Sequence, residues 1–296
     1  MLDHPSSRRL TAIRHLRPLT GDVVGGSEPH VFETEDGPYI VKVKNNPQGP
    51  KVPANELVSA LCLDWLGVEH PDCGIVAIDP GVISAHPGAR FVSGKPLDHG
   101  SAFGSKLLES VSGHFVQPEL IANRSTIAGT LVFDIWIQQF DGRQFRAYPS
   151  SASPGRYDLL PIDNGFAFGR PNWTSKDLDG PVDTFAMLEP LTPLESSELA
   201  GFIERLSSFD MSAAKRIISE VPDEWLIRQE RLSMRKYMCR RAKIAVHLLK
   251  KTPLMRLSAL SAASHATPNR RLPSRIWSMI ATKASRFRGR DGLPRR

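Results

Sequence analysis

Two lysines, a glutamate and two aspartates stand along this chain in an order suited to moving a phosphoryl group. Lys42 and Lys44 close a strand-like run, Tyr39-Ile40-Val41-Lys42, and Glu56 follows at the start of an apolar helical pattern. Asp141 opens an Asp-Gly step, and Asp163 begins Asp163-Asn164-Gly165 after a short apolar run. Phosphoryl transfer is mostly positioning and charge neutralisation: a cation for the phosphates, an anion to hold it, a carboxylate for metal, and a base for the acceptor hydroxyl. Upstream, Gly25-Gly26-Ser27 offers backbone N–H groups and a hydroxyl to a phosphate. Each feature has a plainer reading as well. Paired glycines, Asp-Gly and Asn-Gly are common turns, an edge-strand lysine is usually a surface charge, and an acid in a first helical turn complements the dipole. Strand alternation puts Lys42 and Lys44 on one face, so periodicity alone does not choose between them.

The elements that must position these residues can be read from pattern. Residues 1–18 read as a polar leader. Val31-Phe32 starts a strand, Glu35-Asp36-Gly37 turns it, and Tyr39 to Lys44 returns as its partner. A Pro- and Gly-containing loop leads to a helix near Pro53 to Gly67, whose residues Leu57, Val58, Leu61, Cys62, Trp65 and Leu66 form one buried stripe. Short apolar runs over 71–92 suggest further strands, giving a small β-rich lobe (19–100) with one helix. Residues 101–251 read as mostly helical, with helices at Pro118–Phe140, Pro193–Ser207, Met211–Val221 and Pro222 to about Lys251. Asp141 to Gly169 interrupts them with turns and one strand, Asp158 to Ile162.

The order Gly loop, strand lysine, helix glutamate, loop aspartate, strand-end Asp-x-Gly is that of protein kinases. More specifically, Gly25-Gly26-Ser27-Glu28-Pro29-His30, Lys42 to Pro50 with its Asn-Pro-Gln-Gly stretch, and Asn55-Glu56-Leu57-Val58 resemble the first lobe of the HipA-like kinase family. Phe133 to Ile137 leading into Asp141 resembles its catalytic segment, and Ile162 to Gly169 its metal segment. The resemblance runs from about residue 20 to about 250. It implies an α+β, two-lobed protein-kinase-like fold, ATP and Mg²⁺ as cofactors, and transfer to a protein Ser or Thr hydroxyl. By it Lys42 aligns phosphates, Glu56 fixes Lys42, Asp141 is the base and Asp163 the principal metal ligand. Two places depart from the family pattern: Gln138-Gln139-Phe140 differ from the Asn-Thr-like approach to the base, and five residues after Asp141, where the family has a metal-binding Asn, stands Arg146. An arginine has no acceptor for Mg²⁺, which leaves Gln144 to offer its side-chain carbonyl or Arg146 to meet a phosphate directly. A nucleotide-binding pseudokinase with a regulatory role is the alternative that Arg146 favours.

Other chemistries lack support. The three cysteines form no C-x-x-C pair, and the nine histidines no H-E-x-x-H. There is no G-x-S-x-G elbow and no G-x-G-x-x-G opening a βα unit. Scattered cysteines and the lack of a secretory signal or transmembrane run imply a reduced, cytoplasmic protein. The net charge of +7 is unevenly spread. From Lys250 to Arg296 there are twelve Lys/Arg against one acid, so the rest of the chain is net acidic. Residues 252–296 therefore read as a flexible basic tail, with nucleic acid or an anionic surface as its partner in a third reading.

Overall fold

Alternation of inward apolar and outward polar side chains closes the first hundred residues into a barrel. The computed structural model describes residues 7–19, 26–108, 110–112, 116–139, 141–180 and 194–251. Strands β1 (Arg8–Pro18), β2 (His30–Thr34), β3 (Gly37–Lys42), β4 (Cys73–Ile78) and β5 (Gly100–Lys106) close in the order β1-β2-β3-β5-β4. All pairings are antiparallel except β1 with β4. The interior is filled by Leu10, Ala12, Phe32, Tyr39, Val41, Val76, Ile78 and Ala102, capped by Ala89, Phe91 and Leu97.

The expected polar leader is thus corrected for residues 8–18, which form a barrel strand. Its inward positions are Leu10, Ala12 and His15. The step of three from Ala12 to His15 coincides with a register shift between Ala12 and Arg14, a bulge that hides the strand's period of two from a sequence reading. β5 likewise carries the barrel past the expected boundary at residue 100. Between them, residues 71–92 supply one strand and a short helix α2 (Pro80–Ser84), capped by Asp79, rather than several strands.

Helix α1 (Val52–Leu66) leaves the barrel and is buried on nearly every side, not along one stripe, because it contacts β4 and β5 as well as α3, α5 and α6. Gly67 ends it at φ 74°, and a side chain there would meet the Arg205 guanidinium at 2.8 Å. The remaining helices are α3 (Arg124–Ile137), α4 (Ser175–Asp179), α5 (Ser196–Ser207), α6 (Met211–Ser219) and α7 (Arg228–Lys251). One large core joins α1, α3 and α5 to α7 through Trp136, Phe133, Trp173 and Trp225, among others. The helix expected from Pro118 to Phe140 begins only at Arg124, after a 3₁₀ turn at Pro118–Leu120; Phe140 lies outside the described residues. The helix expected from Pro222 begins at Arg228. A second antiparallel sheet, β6 (Val111–Ser112), β7 (Gln144–Pro149) and β8 (Tyr157–Ile162), was legible only in its last strand. Among the described residues no helix is long and apolar enough to cross a membrane. The basic segment 252–296 lies outside the described residues.

Inside the barrel, His15 Nε2 and His30 Nδ1 share a hydrogen bond of 2.9 Å, packed against Phe32 and Phe91, with His86 beyond His15. Burial, and secondly His15, push the His30 imidazole down to about 4. Burial and then His86 lower His15. An unfolded histidine titrates near pH 6.5. Between pH 6.5 and about 4 the unfolded chain therefore binds a proton that folded His30 refuses, and stability present above pH 6.5 is lost as pH falls. The thermal midpoint should drop by several degrees from pH 7 to pH 4.5. His30→Phe should narrow that drop; an unchanged drop in calorimetry would show that His30 is not its source.

Candidate active site

Three polar side chains from distant parts of the chain meet where the barrel abuts the helices. Lys42, the last residue of β3, hydrogen-bonds through Nζ to Glu56 Oε1 on α1 and lies 2.8 Å from Asp163 Oδ1, immediately after β8. The second oxygen of Glu56 accepts the Asn164 amide at 2.9 Å. Lys42 and Glu56 are buried, at 8% and 3% exposure, while the Asp163 side chain keeps 23% of its surface open. Burial alone would drive the ammonium toward neutrality, but Asp163 and Glu56 reverse this and hold Lys42 above the usual lysine range. Burial raises Asp163 too, yet the Lys42 charge and hydrogen bond, with Arg143 behind them, bring it below the ordinary carboxylate range. Glu56, deeper, is pushed up by burial against the pull of Lys42.

This cluster lies on a cavity of about 440 Å³, roofed by Ser27, Pro29 and Ile40 and floored by Gln144, Arg146 and Tyr148. The Asn-Pro-Gln-Gly stretch fastens the roof. Asn46 Nδ2 donates to the Ser27 carbonyl at 2.9 Å, and the Gln48 amide packs within 3.3 Å of where a side chain on Gly26 would stand. Gly49, at φ 152°, passes so close to the Pro171 carbonyl that a Cβ would sit 2.5 Å from its oxygen. Of the residues expected in the phosphate loop, Ser27 is at the roof, Gly26 precedes it beside Gln48, and Gly25 lies outside the described residues.

The two lysines are placed differently. β3 stops at Lys42, so its alternation does not extend to Lys44, which is exposed and does not line the cavity. Asp141 is also exposed, away from the cavity wall, and its Oδ1 accepts the Gly142 amide at 2.9 Å. Gln144, Arg146 and Tyr148 alternate onto the cavity face of β7. Gln144 is the one beside Asp163, with Nε2 3.3 Å from its Oδ2. Arg146 turns instead to Ser110, donating to its hydroxyl at 2.8 Å and its carbonyl at 3.2 Å.

Several positioning residues escaped the sequence reading. Asn55, fully buried beside Glu56, donates to the carbonyl of Gly165 at 2.8 Å, and lies near those of Ala167 and Arg170, while accepting from Trp173 Nε1 at 2.8 Å. One amide thus ties α1 to the segment after Asp163. Asp134 on α3 and Arg143 form a buried, two-pronged ion pair. Arg143 also donates to the Ile162 carbonyl at 2.8 Å and Asn164 Oδ1 at 2.9 Å. Asp134 interrupting an apolar helical run was the available signal, since a carboxylate there demands a cation. Gln139 donates to the Asp163 carbonyl at 3.2 Å. Asp163 itself sits at φ 60°, in the left-handed region that few non-glycine residues occupy.

The sequence pattern of HipA-like kinases matches residues 23–252. The chain belongs to the HipA-like kinase family. Among solved structures, a Helicobacter pylori proinflammatory kinase, CtkA, superposes with a TM-score of 0.50 at 12% identity, covering 75% of this chain and 94% of that one. The Golgi casein kinase with Mn/ADP bound gives a TM-score of 0.46 at 12% identity, over 83% of this chain and 74% of that one. No curated protein sequence matches the chain. The family match and the CtkA superposition give this HipA-like chain the α+β protein-kinase-like fold.

The Asp134–Arg143 pair predicts a large asymmetry between single and double replacement. Arg143→Ala leaves a buried carboxylate without a partner and should cost about 3–5 kcal/mol in urea unfolding. Asp134→Leu combined with Arg143→Met should recover most of that stability. Equal losses in the single and double variants would mean the pair is not a buried ionic unit.

Proposed function

We propose that this chain is an ATP- and Mg²⁺-dependent kinase that phosphorylates a Ser or Thr hydroxyl of a protein, with the nucleotide held between two lobes. The smaller lobe is the barrel with α1, and the larger comprises the second sheet and α3 to α7. The observation that carries this reading is Lys42 gripped by Glu56 and 2.8 Å from Asp163 on the wall of one cavity. One buried cation between two carboxylates leaves a net negative cluster with Asp163 partly open. A hard divalent cation suits such oxygen donors.

In this mechanism Lys42 aligns the nucleotide phosphates, and Glu56, fixed by the Asn164 amide, keeps its ammonium in place. Asp163 would hold the cation, and Gln144, with its amide turned so that the carbonyl faces inward, would be the second ligand in place of the family's Asn. Bound Mg²⁺ would supply neutralisation of charge on the transferring phosphoryl group. Gly25, Gly26 and Ser27 cover the phosphates. Asp141 accepts the proton of the substrate hydroxyl once its loop is engaged by substrate, since such contacts often tighten only in the complex.

A second reading is favoured by one observation: Asp141 is exposed, bonded to its own turn and off the cavity wall. A chain with that arrangement throughout its cycle would bind nucleotide without turnover and act as a regulatory pseudokinase. Transfer of labelled γ-phosphate from ATP, to the chain itself or to a mixed protein substrate, separates the two. Active kinase predicts turnover lost by at least about 10³-fold in Lys42→Met and Asp163→Asn, and by about 10²–10⁴-fold in Asp141→Ala. Calorimetric ATP binding without any turnover supports the pseudokinase; neither binding nor turnover contradicts both.

Two of the cavity-floor residues give a sharper test. Gln144→Ala should raise the Mg²⁺ concentration needed for half-maximal activity or ATP binding by several-fold. Arg146→Ala should leave that concentration unchanged, because its guanidinium is engaged by Ser110. A larger shift in Arg146→Ala than in Gln144→Ala would reverse the assignment.

A further inference from the structure

The cavity has a second end that the phosphoryl-transfer chemistry does not use. Beyond Lys42 its wall is made by Leu63 and Phe103, and by His70 and Cys73 at the start of β4. Cys73 pairs with Ser105 across the β4–β5 ladder, and both residues line the cavity. The His70 side chain is 10% exposed, and both its ring nitrogens face acceptors. Nε2 lies 3.0 Å from Asp64 Oδ1, and Nδ1 lies 2.8 Å from the Pro71 carbonyl. Two acceptors require two N–H donors, which only the protonated ring has. Burial opposes that charge, but hydrogen bonds and charge from Asp64 and Cys73 outweigh it and hold His70 well above the usual imidazole range.

His70 Nδ1 is 3.9 Å from Cys73 Sγ, whose thiol also donates to the Pro71 carbonyl at 2.9 Å. A positive ring beside the sulfur favours the negative charge that develops there as sulfur attacks an electrophile. The other two thiols differ in both respects. Cys62 is enclosed in the helical core and pushed well above the ordinary thiol range by burial and by Asp64. Cys239, on α7, is raised chiefly by burial and does not line the cavity.

We propose that Cys73 is a covalent-modification site for small soft electrophiles entering the cavity, with His70 stabilising the attacking sulfur. With an alkyl halide such as iodoacetamide, a C–S bond forms as the C–I bond breaks. Iodide leaves and the thiol proton passes to water. The added group stands on the cavity wall next to Ser105. That it then excludes a nucleotide rests on the kinase reading above; the reactivity of Cys73 does not.

Limiting iodoacetamide on the full-length chain, with site-resolved peptide mass spectrometry, measures all three thiols in one sample. Cys73 should be labelled at least about tenfold faster than Cys62 and Cys239. His70→Gln should slow Cys73 several-fold while the Cys239 rate, an internal gauge of folding, stays constant. Cys239 reacting as fast as Cys73 would overturn the proposal, as would Cys73 labelling indifferent to His70→Gln. Adding ATP and Mg²⁺ should protect Cys73 alone. If calorimetry detects ATP binding but Cys73 labelling is unaffected, the shared-cavity claim is wrong. If the chain binds no ATP, the kinase reading fails while the wild-type and His70→Gln rates still decide the thiol.

Discussion

A buried ammonium with a carboxylate on either side is the constraint around which the rest of the chain is arranged. Lys42, Glu56 and Asp163 come from the end of β3, the first turns of α1 and the turn after β8. Taking such charges out of water costs several kcal/mol per ion, so each holds its place only while the others hold theirs. That requirement explains why α1 is buried on nearly all sides, and why its Asn55 is spent on the carbonyls following Asp163. It also explains the left-handed backbone at Asp163, which aims one carboxylate oxygen at Lys42 and leaves the other facing Gln144.

The second ionic unit, Asp134 with Arg143, has a different task. It anchors the short loop after α3 to the segment following β8, because one guanidinium reaches α3, the Ile162 carbonyl and Asn164 together. The loop is consequently brief: only Gly142 and Arg143 separate Asp141 from the start of β7 at Gln144. This brevity accounts for the unexpected arginine. Counting five residues from Asp141 lands two positions along β7, on the same face but farther down the floor, where Arg146 meets Ser110. The residue adjacent to Asp163 is Gln144, an amide that differs from the family's asparagine by one methylene.

Much of the site was legible because its residues are tied to local signals: a lysine at a strand end, a glutamate near the start of a helix, and an aspartate after an apolar strand. The choice between Lys42 and Lys44 was not, since it depends on where β3 stops, and strand ends are set by pairing with β5 rather than by local pattern. The first barrel strand was hidden by its bulges and by outward arginines that read as a polar leader. β7 was hidden because Gln144-Phe145-Arg146-Ala147 alternates with polar residues facing a cavity instead of solvent, a distinction that only tertiary structure makes. Asn55 and Arg143 act on backbone carbonyls far away in sequence, and no local pattern announces such contacts.

The central claim is that the cavity beside Lys42 holds a nucleotide whose metal sits on Asp163. A crystal structure with ADP and Mn²⁺, using the anomalous signal of manganese, tests it most directly. The account predicts a metal peak within metal–oxygen bonding distance, about 2.0–2.3 Å, of an Asp163 carboxylate oxygen, with a phosphate oxygen beside Lys42 Nζ. Nucleotide density elsewhere, or a metal peak remote from Asp163 with Lys42 still closed on both carboxylates, would contradict it.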